Sequence, residues 1–317
     1  MGKFEELICH LSSEMPFENV RYFLENQDQI KISETMIRGT SERCGQAMLK
    51  AESENEIKIG EVKTERLYSS VDGAMIPIRG MQNNKEIIEY KENKLGLFFT
   101  EENIKRGKDN KPNEIFQKRY VSSIGKGVEE FEKLFQKKSK CYEAKEIVFL
   151  SDGAEWIDQM RIRVFPSSIH ILDWYHAQEH LWNCAKSIFG ESESIKIKNF
   201  VEPLKALLWD GKVEDVCNHL LGEIQNYKTK ETELRKLYSY YYTRKDKMRY
   251  GNFRKEGYFI GSGSIESANK YLVQKRLKQS GMKWLIEGAH SILKLREKIY
   301  ESTWTHLWNN KLQFFSY

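Results

Sequence analysis

The hydrophobic period of this chain changes at residue 67, and that change limits the fold more than any other feature. Before it, apolar residues recur at helical spacing over Phe4–Leu11, over Pro16–Asn26 and over Ile32–Cys44. Proline suits a first helical turn, and Ser33 stands where a cap belongs. From there Leu67–Arg79 (LYSSVDGAMIPIR), Glu86–Lys91 and Leu95–Thr100 alternate like strands, separated by the polar MQNNK and ENK, which predicts a three-stranded antiparallel meander. Val121–Lys138 reads as a helix, Glu146–Asp152 (EIVFLSD) as a buried strand, Gly153–Phe165 as a helix and Ser168–Trp174 as a second buried strand. Nearly everything beyond, to residue 300, reads as helix.

The order β-β-β-α-β-α-β-α is that of an RNase H-like α/β fold, a mixed five-stranded sheet flanked by helices, here with a large all-α insertion at about 177–258. A small helical region, 1–58, precedes it. Its last two helices resemble a helix-turn-helix with Thr35, Arg38 and Arg43 on the outer side, although many three-helix pieces bind nothing. Glu52–Glu65 reads as a linker, 59–300 as the catalytic domain and 301–317 as a tail. The longest apolar runs fall short of the ~20 residues a membrane-spanning helix needs, and the N-terminus lacks a signal peptide's apolar stretch. A cytoplasmic protein is expected. The five cysteines, Cys9, Cys44, Cys141, Cys184 and Cys217, are scattered without C-x-x-C spacing and read as buried free thiols.

Three acids fall where solvated acids do not belong. Asp72 interrupts the first strand, Asp152 ends the run EIVFLS just before Gly153, and Glu266 opens a helix after Gly261-Ser262-Gly263-Ser264. Ligands of open α/β sheets gather at the carboxyl ends of strands, and Gly153 would let one come close. Alone, each acid reads as a turn or a helix-dipole partner. Together, in this element order, they point to a site of oxygen ligands, which suits two Mg²⁺ or Mn²⁺ ions acting on a phosphodiester.

Asp173, His176, His180 and Cys184 recur every three or four residues, one stripe of a helix. His176, Glu179 and His180 also match H-x-x-E-H, the spacing of a zinc peptidase, and the plain alternative is packing of a helix on the sheet. Gly261-x-Gly263 lacks the Gly-Lys-Ser/Thr of a nucleotide-binding loop. Charge is uneven: Glu231–Tyr300 holds 16 Lys+Arg against 7 Asp+Glu, so a net +5 divides into +9 there and −4 elsewhere. Such a block suits a polyanion partner, or only a set of solvated helix faces.

The segments VDGAMIPIR, FLSDGAEWI, ILDWYHAQEHLW, RYGNFRKEGYFIGSGSIESANKYLVQKRLKQSGMKW and AHSILKLRE resemble the ISKra family of bacterial insertion-sequence transposases, with part of the pattern shared by the ISLre and mutator-like groups. The resemblance runs over about 60–300. It implies a DDE transposase that cuts and joins DNA with divalent metal, with Asp72, Asp152 and Glu266 as its acids and metal ligands, and Asp173 and His176 as the C/D-x-x-H signature. It implies DNA as partner, both the element's terminal inverted repeats and the target, and a homodimer or higher oligomer on that DNA. In the basic block it implies phosphate contacts from Arg244, Lys245, Lys247, Arg249, Arg254, Lys270, Lys275, Arg276, Lys278 and Lys283. Tyr250 and Trp284 either stack on a base or belong to the core. Family members usually carry a longer N-terminal region, often with metal-binding cysteines, so region 1–58 reads as a shortened form. A DNA-binding derivative that occupies element ends and represses transposition is the second reading; a zinc peptidase is the third.

Overall fold

The computed structural model describes residues 2–54, 62–83, 85–107, 113–261 and 263–309. It is an α/β protein whose main sheet has five strands. The first is β1 (Val62–Gln82), followed by β2 (Lys85–Thr100), the two-residue β3 (Ile104–Lys105) and β4 (Glu114–Ile115), β5 (Arg119–Ile124), β6 (Tyr142–Ser151) and β7 (Ile169–Leu172). The order across the sheet is β5-β2-β1-β6-β7, while β3 and β4 pair by themselves. β1 and β2 run antiparallel from Leu67 opposite Thr100 to Gln82 opposite Lys85. β2 and β5 are also antiparallel, and β6 and β7 are parallel, with Ser151 level with Leu172. Ion pairs Lys63–Glu143, Glu65–Lys145 and Arg66–Glu146 tie β1 to β6. Their numbers rise together, so these strands also run parallel. The arrangement is compatible with an RNase H-like fold.

Two of the expected strands are one. Glu92-Asn93-Lys94 does not turn, because its backbone stays in the ladder with β1 and β5. Lys94 is bound by the Glu92 carboxylate (2.8 Å) and the Lys126 carbonyl (3.1 Å), while Asn93 sits buried opposite Ile124 with its side-chain amide left without a hydrogen-bond partner. The third antiparallel strand is instead β5, in a stretch read partly as the start of a helix. Gly125, at φ +66, breaks the strand there, and the helix α4 begins only at Val128 (Val128–Ser139).

The chain divides into two compact units, Met1–Glu146 with Ile265–Tyr317, and Ile147–Ser264, which cut across the boundaries expected at 58 and at 177–258. The first unit opens with α1 (Lys3–Glu14), α2 (Phe17–Gln27) and α3 (Glu34–Ser53). Ile8, Val20, Leu24 and Ile37 form their shared apolar centre. Ser33 caps α3 by accepting from the Met36 N–H (3.2 Å), as its position suggested. Helix α3 runs on to Ser53, past the expected end at Cys44, because its second half is buried by Cys44, Gly45, Met48 and Ala51. The expected linker therefore begins inside a helix, and 55–61 lies outside the described residues. Thr35, Arg38 and Arg43 are exposed, with Arg43 paired to Glu5 (2.6 Å).

The first unit also holds, from Ile265 on, α11 (Gly263–Ala268), which runs through a π-helical stretch, Asn269–Gln274, into α12 (Lys275–Leu277), and then α13 (Ile286–Tyr300) and α14 (Trp304–Asn309). A Cβ on Gly45 would lie 2.4 Å from the Ser291 carbonyl, so α3 and α13 approach with no room for a side chain. Residues 310–317 of the expected tail lie outside the described ones. The second unit contains α5 (Glu155–Val164), α6 (Trp174–Phe189), α7 (Ser194–Trp209), α8 (Val213–Asn226), α9 (Glu231–Arg244) and α10 (Tyr250–Lys255), as the helical reading expected. The Tyr241 hydroxyl, buried, donates to the Ala177 carbonyl (2.8 Å) and joins α9 to α6. No described helix is long and apolar enough to cross a membrane.

Candidate active site

In the second unit, two acids stand at the ends of neighbouring parallel strands. Asp152 directly follows β6, and its Oδ1 accepts the Ala154 N–H (2.9 Å), a turn that opens α5. Asp173 directly follows β7, and its N–H donates to the Ser151 carbonyl (2.7 Å). It is the N-cap of α6: Oδ1 accepts the His176 N–H (2.7 Å) and lies 3.1 Å from His176 Nδ1. Asp173 is fully buried and Asp152 half-buried. The expected stripe thus begins one residue before the helix, and its far end, Cys184, is buried among apolar neighbours that push its thiol up to about 11. That sulfur is packing.

Helix α9 covers this pair with Tyr240 and Arg244, of which only Arg244 was foreseen. The Tyr240 hydroxyl points at the Asp152 carbonyl (3.4 Å), and its ring lies 3.9 Å from that of His180. Burial, with Asp152, Asp173 and Asp158 in view, raises the Tyr240 pKa against the opposing pull of Arg244. The Arg244 guanidinium lies 4.6 Å from the Tyr240 ring and donates to the Gly153 carbonyl (3.2 Å). Among the described residues no carboxylate pairs with Arg244 and no cation pairs with Asp152, and Arg244 Nε is buried without a hydrogen-bond partner. A Cβ on Gly153 would meet Leu172 Cδ1 at 2.8 Å and Arg244 Nε at 3.1 Å, and its φ is +88. The space expected for a ligand at Gly153 is therefore taken by Leu172 and Arg244. The tyrosine run Tyr240-Tyr241-Tyr242 was the signal for the covering ring, since alternate faces of a helix rarely all need an aromatic.

Behind the strand ends lies a second buried group. His170 Nε2 is 2.8 Å from Ser151 Oγ and 3.3 Å from Asp158 Oδ1, and Lys247 donates to Asp158. Burial, only partly offset by Asp158, pushes His170 down to about 3, so the ring is neutral.

In the first unit, Asp72 sits half-buried on β1. Its Oδ1 accepts the Gly73 N–H (2.7 Å) and its Oδ2 accepts Asn269 Nδ2 (2.5 Å). Asn269 lies three residues after Glu266, one turn along the same helical face. It thereby fastens to β1 the helix that carries Glu266. The π-helical stretch starts at Asn269, and such bulges concentrate at functional sites. Sequence reasoning missed Asn269, since nothing in the pattern separates it from a surface asparagine. Ser262 lies outside the described residues.

The basic block divides sharply. Lys270, Lys275, Lys278, Lys283 and Arg249 are exposed, with Lys275 near Glu14 (3.5 Å) and Arg249 bonded to Asp246. Lys245 pairs with Glu214 (3.5 Å). Arg276, expected to meet DNA, and Trp284, read as either a stacking ring or core, are both buried. Arg276 donates to the Ser12 carbonyl (2.8 Å) with its guanidinium 4.8 Å from the Trp284 ring, and the Trp284 indole donates to the Leu277 carbonyl (3.1 Å). Burial, helped by Arg296, lowers Arg276 to about 9. Tyr250 is buried edge-on to Trp174 (5.0 Å). Lys294, Arg296 and Lys298 are buried as well, so the block's +9 is not all surface charge.

Among the described residues, no set of three side chains placed to hold a metal includes Glu179 or His180, nor Asp72 or Asp152, and the His180 ring is spent on Tyr240. The H-x-x-E-H spacing therefore gains no support. No protein-family model matches the chain, and no curated protein matches it in sequence.

Proposed function

We propose that the chain is a DDE transposase of the kind its motifs resemble, cleaving and joining DNA phosphodiesters with Asp72, Asp152 and Glu266 as its acids. The observation that carries this reading is the sheet. In its order β5-β2-β1-β6-β7, Asp72 stands on the central strand β1 and Asp152 directly follows β6, which supports the reading.

The chemistry of the donor set fits a hard divalent ion, because each acid offers carboxylate oxygens and no cation pairs with Asp152 among the described residues. Two Mg²⁺ or Mn²⁺ ions bound there would stabilise the attacking and leaving oxygens of an in-line displacement. The chain's own groups do the rest. Gly73 N–H, Asn269 and Ala154 N–H hold the carboxylates in place. Asp173 and His176 fix the start of α6. Arg244, held by Tyr240 and by the Gly153 carbonyl, has donors to offer a phosphate oxygen. The exposed lysines of 270–283 would follow the DNA backbone, and a homodimer on paired ends is part of the same reading.

The test is Mg²⁺- or Mn²⁺-dependent nicking and strand transfer on DNA carrying the ends that flank the gene, with Asp72→Asn, Asp152→Asn and Glu266→Gln proteins alongside. Loss of one ligand from a two-metal site is expected to cost on the order of 10³-fold or more in rate. Variants that cleave as fast as the unmodified protein overturn the reading. DNA binding without metal-dependent cleavage moves it to the repressor.

A further inference from the structure

The second unit holds a cavity of about 450 Å³ lined by Asp210, Lys212, Gly251, Arg254 and Lys255. It lies where the end of α7 meets α10. Gly251 lets the two backbones touch there, since a Cβ on it would fall 2.3 Å from the Asp210 carbonyl. Three cations face one carboxylate, and that carboxylate is already drawn toward Lys212 at 4.0 Å.

Arg254 is fixed before any ligand arrives. Its guanidinium lies 3.7 Å from the centre of the Trp209 ring, and Nη2 donates to the Trp209 carbonyl (2.8 Å). Its Nε is buried and so lies out of a ligand's reach, which leaves the terminal Nη groups as the donors the cavity can use. A guanidinium held by stacking also loses little entropy on binding. Lys255, exposed at the rim, forms no ion pair among the described residues, so its charge is available too.

We infer that this cavity is a phosphate-binding site, taking a phosphate group that is either part of a nucleic-acid strand or carried by a free nucleotide or pyrophosphate. Fixed Arg254 contributes N–H donors, the two lysines contribute charge, and Asp210 sets a limit on how much anion the cavity accepts. The site is separate from the acids proposed for catalysis and needs no metal.

Binding is measured in EDTA, so that absent cleavage has no bearing on the result. Two ligands are titrated into the full chain: a single-stranded oligonucleotide of about ten nucleotides, and inorganic pyrophosphate. Lys212→Gln and Lys255→Gln are expected to weaken binding about 3- to 10-fold each, with the salt slope of the oligonucleotide falling by about 1 per lysine. Asp210→Asn is expected to tighten binding, an opposite sign that loss of folding cannot imitate. Both ligands responding in this pattern identifies a strand phosphate; pyrophosphate alone responding identifies a free phosphate or nucleotide. If neither ligand follows the pattern, or if Asp210→Asn weakens binding as the lysine variants do, the inference is overturned.

Discussion

The molecule treats buried charge in two opposite ways. Around α13, Lys138, Lys294 and Lys298 face Glu52, Glu297 and Glu301, and every lysine has two carboxylates. Lys138 lies 2.9 Å from Glu52 and 3.0 Å from Glu301, Lys294 lies 2.6 Å from Glu52 and also bonds Glu297, and Lys298 lies 3.2 Å from Glu52 and 3.1 Å from Glu301. Ser122 Oγ and the Tyr120 N–H (2.8 Å) fill remaining acceptor positions on Glu297 and Glu301. At the ends of β6 and β7 the pattern is reversed. Asp152 and Arg244 both flank Gly153, yet each lacks an oppositely charged partner among the described residues. A network that closes on itself is structural. Charges kept apart within reach of one another are not spent on each other, which suits the substrate and metal of the proposed reading.

Breaking the closed network is expected to have the largest effect. Burial opposes the Lys294 charge, but Glu297 and Glu52 hold its pKa above the ordinary lysine value. Lys294→Met removes that cation and leaves Glu297, wholly buried, beside Glu52. The expected loss is about 3–5 kcal/mol of unfolding free energy, read by urea titration. Equal stability of Lys294→Met and the unmodified protein would show that the network is not closed in solution.

The next effect is one of pH and belongs to the second unit. His170 is held neutral down to about 3, facing Asp158, Lys247 and Arg161, whereas in the unfolded chain it takes a proton near 6.5. Above 6.5 both states are neutral and the ring contributes no pH dependence. As pH falls from 6.5 toward 3, only the unfolded state gains the proton, so stability is lost through that window. At pH 4 the loss is on the order of 3 kcal/mol. His170→Gln is expected to flatten stability between pH 4 and 6.5, and an unchanged slope would mean the ring protonates in the folded protein. Gly153→Ala comes third, at about 1–3 kcal/mol, because its φ of +88 and the Leu172 and Arg244 contacts both resist a methyl group. Its thermal unfolding would reveal this directly.

These two regions also differ in how far the sequence reveals them. Strand-end acids are legible: EIVFLS is apolar throughout, so the Asp that stops it stands out, and Asp173 does the same after SIHIL. The closed network is not. In SILKLREKIY every charged residue lies inside, but a reading based on apolar periodicity assigns charges to water, and so Arg276, Lys294, Arg296 and Lys298 entered the count of a basic surface. What buries them is partners from distant segments: Glu52 for the lysines, and the Ser12 and Ser13 carbonyls for the two arginines. Those distances along the chain also hid Asn269 as the partner of Asp72. The joined strand β2 was missed for a related reason, since Glu92-Asn93-Lys94 looks like a turn until its cross-strand neighbours are known.

The smallest expected effect on stability is the most informative. Asp152→Asn keeps an oxygen for the Ala154 N–H and removes a charge that no cation neutralises among the described residues. Unfolding free energy should therefore change by less than about 1 kcal/mol, far below the cost of Lys294→Met. If that small change accompanies a loss of metal-dependent cleavage of 10³-fold or more, then charge at the strand end is retained for reaction and not for folding. A loss of stability comparable to that of Lys294→Met would erase the contrast, because it would mean that Asp152 is a structural acid held by a cation in solution. The same pair of measurements on Arg244→Gln separates its two roles. Its carbonyl bond and aromatic contact predict a modest stability cost of about 1–2 kcal/mol. A phosphate role predicts a much larger fall in rate.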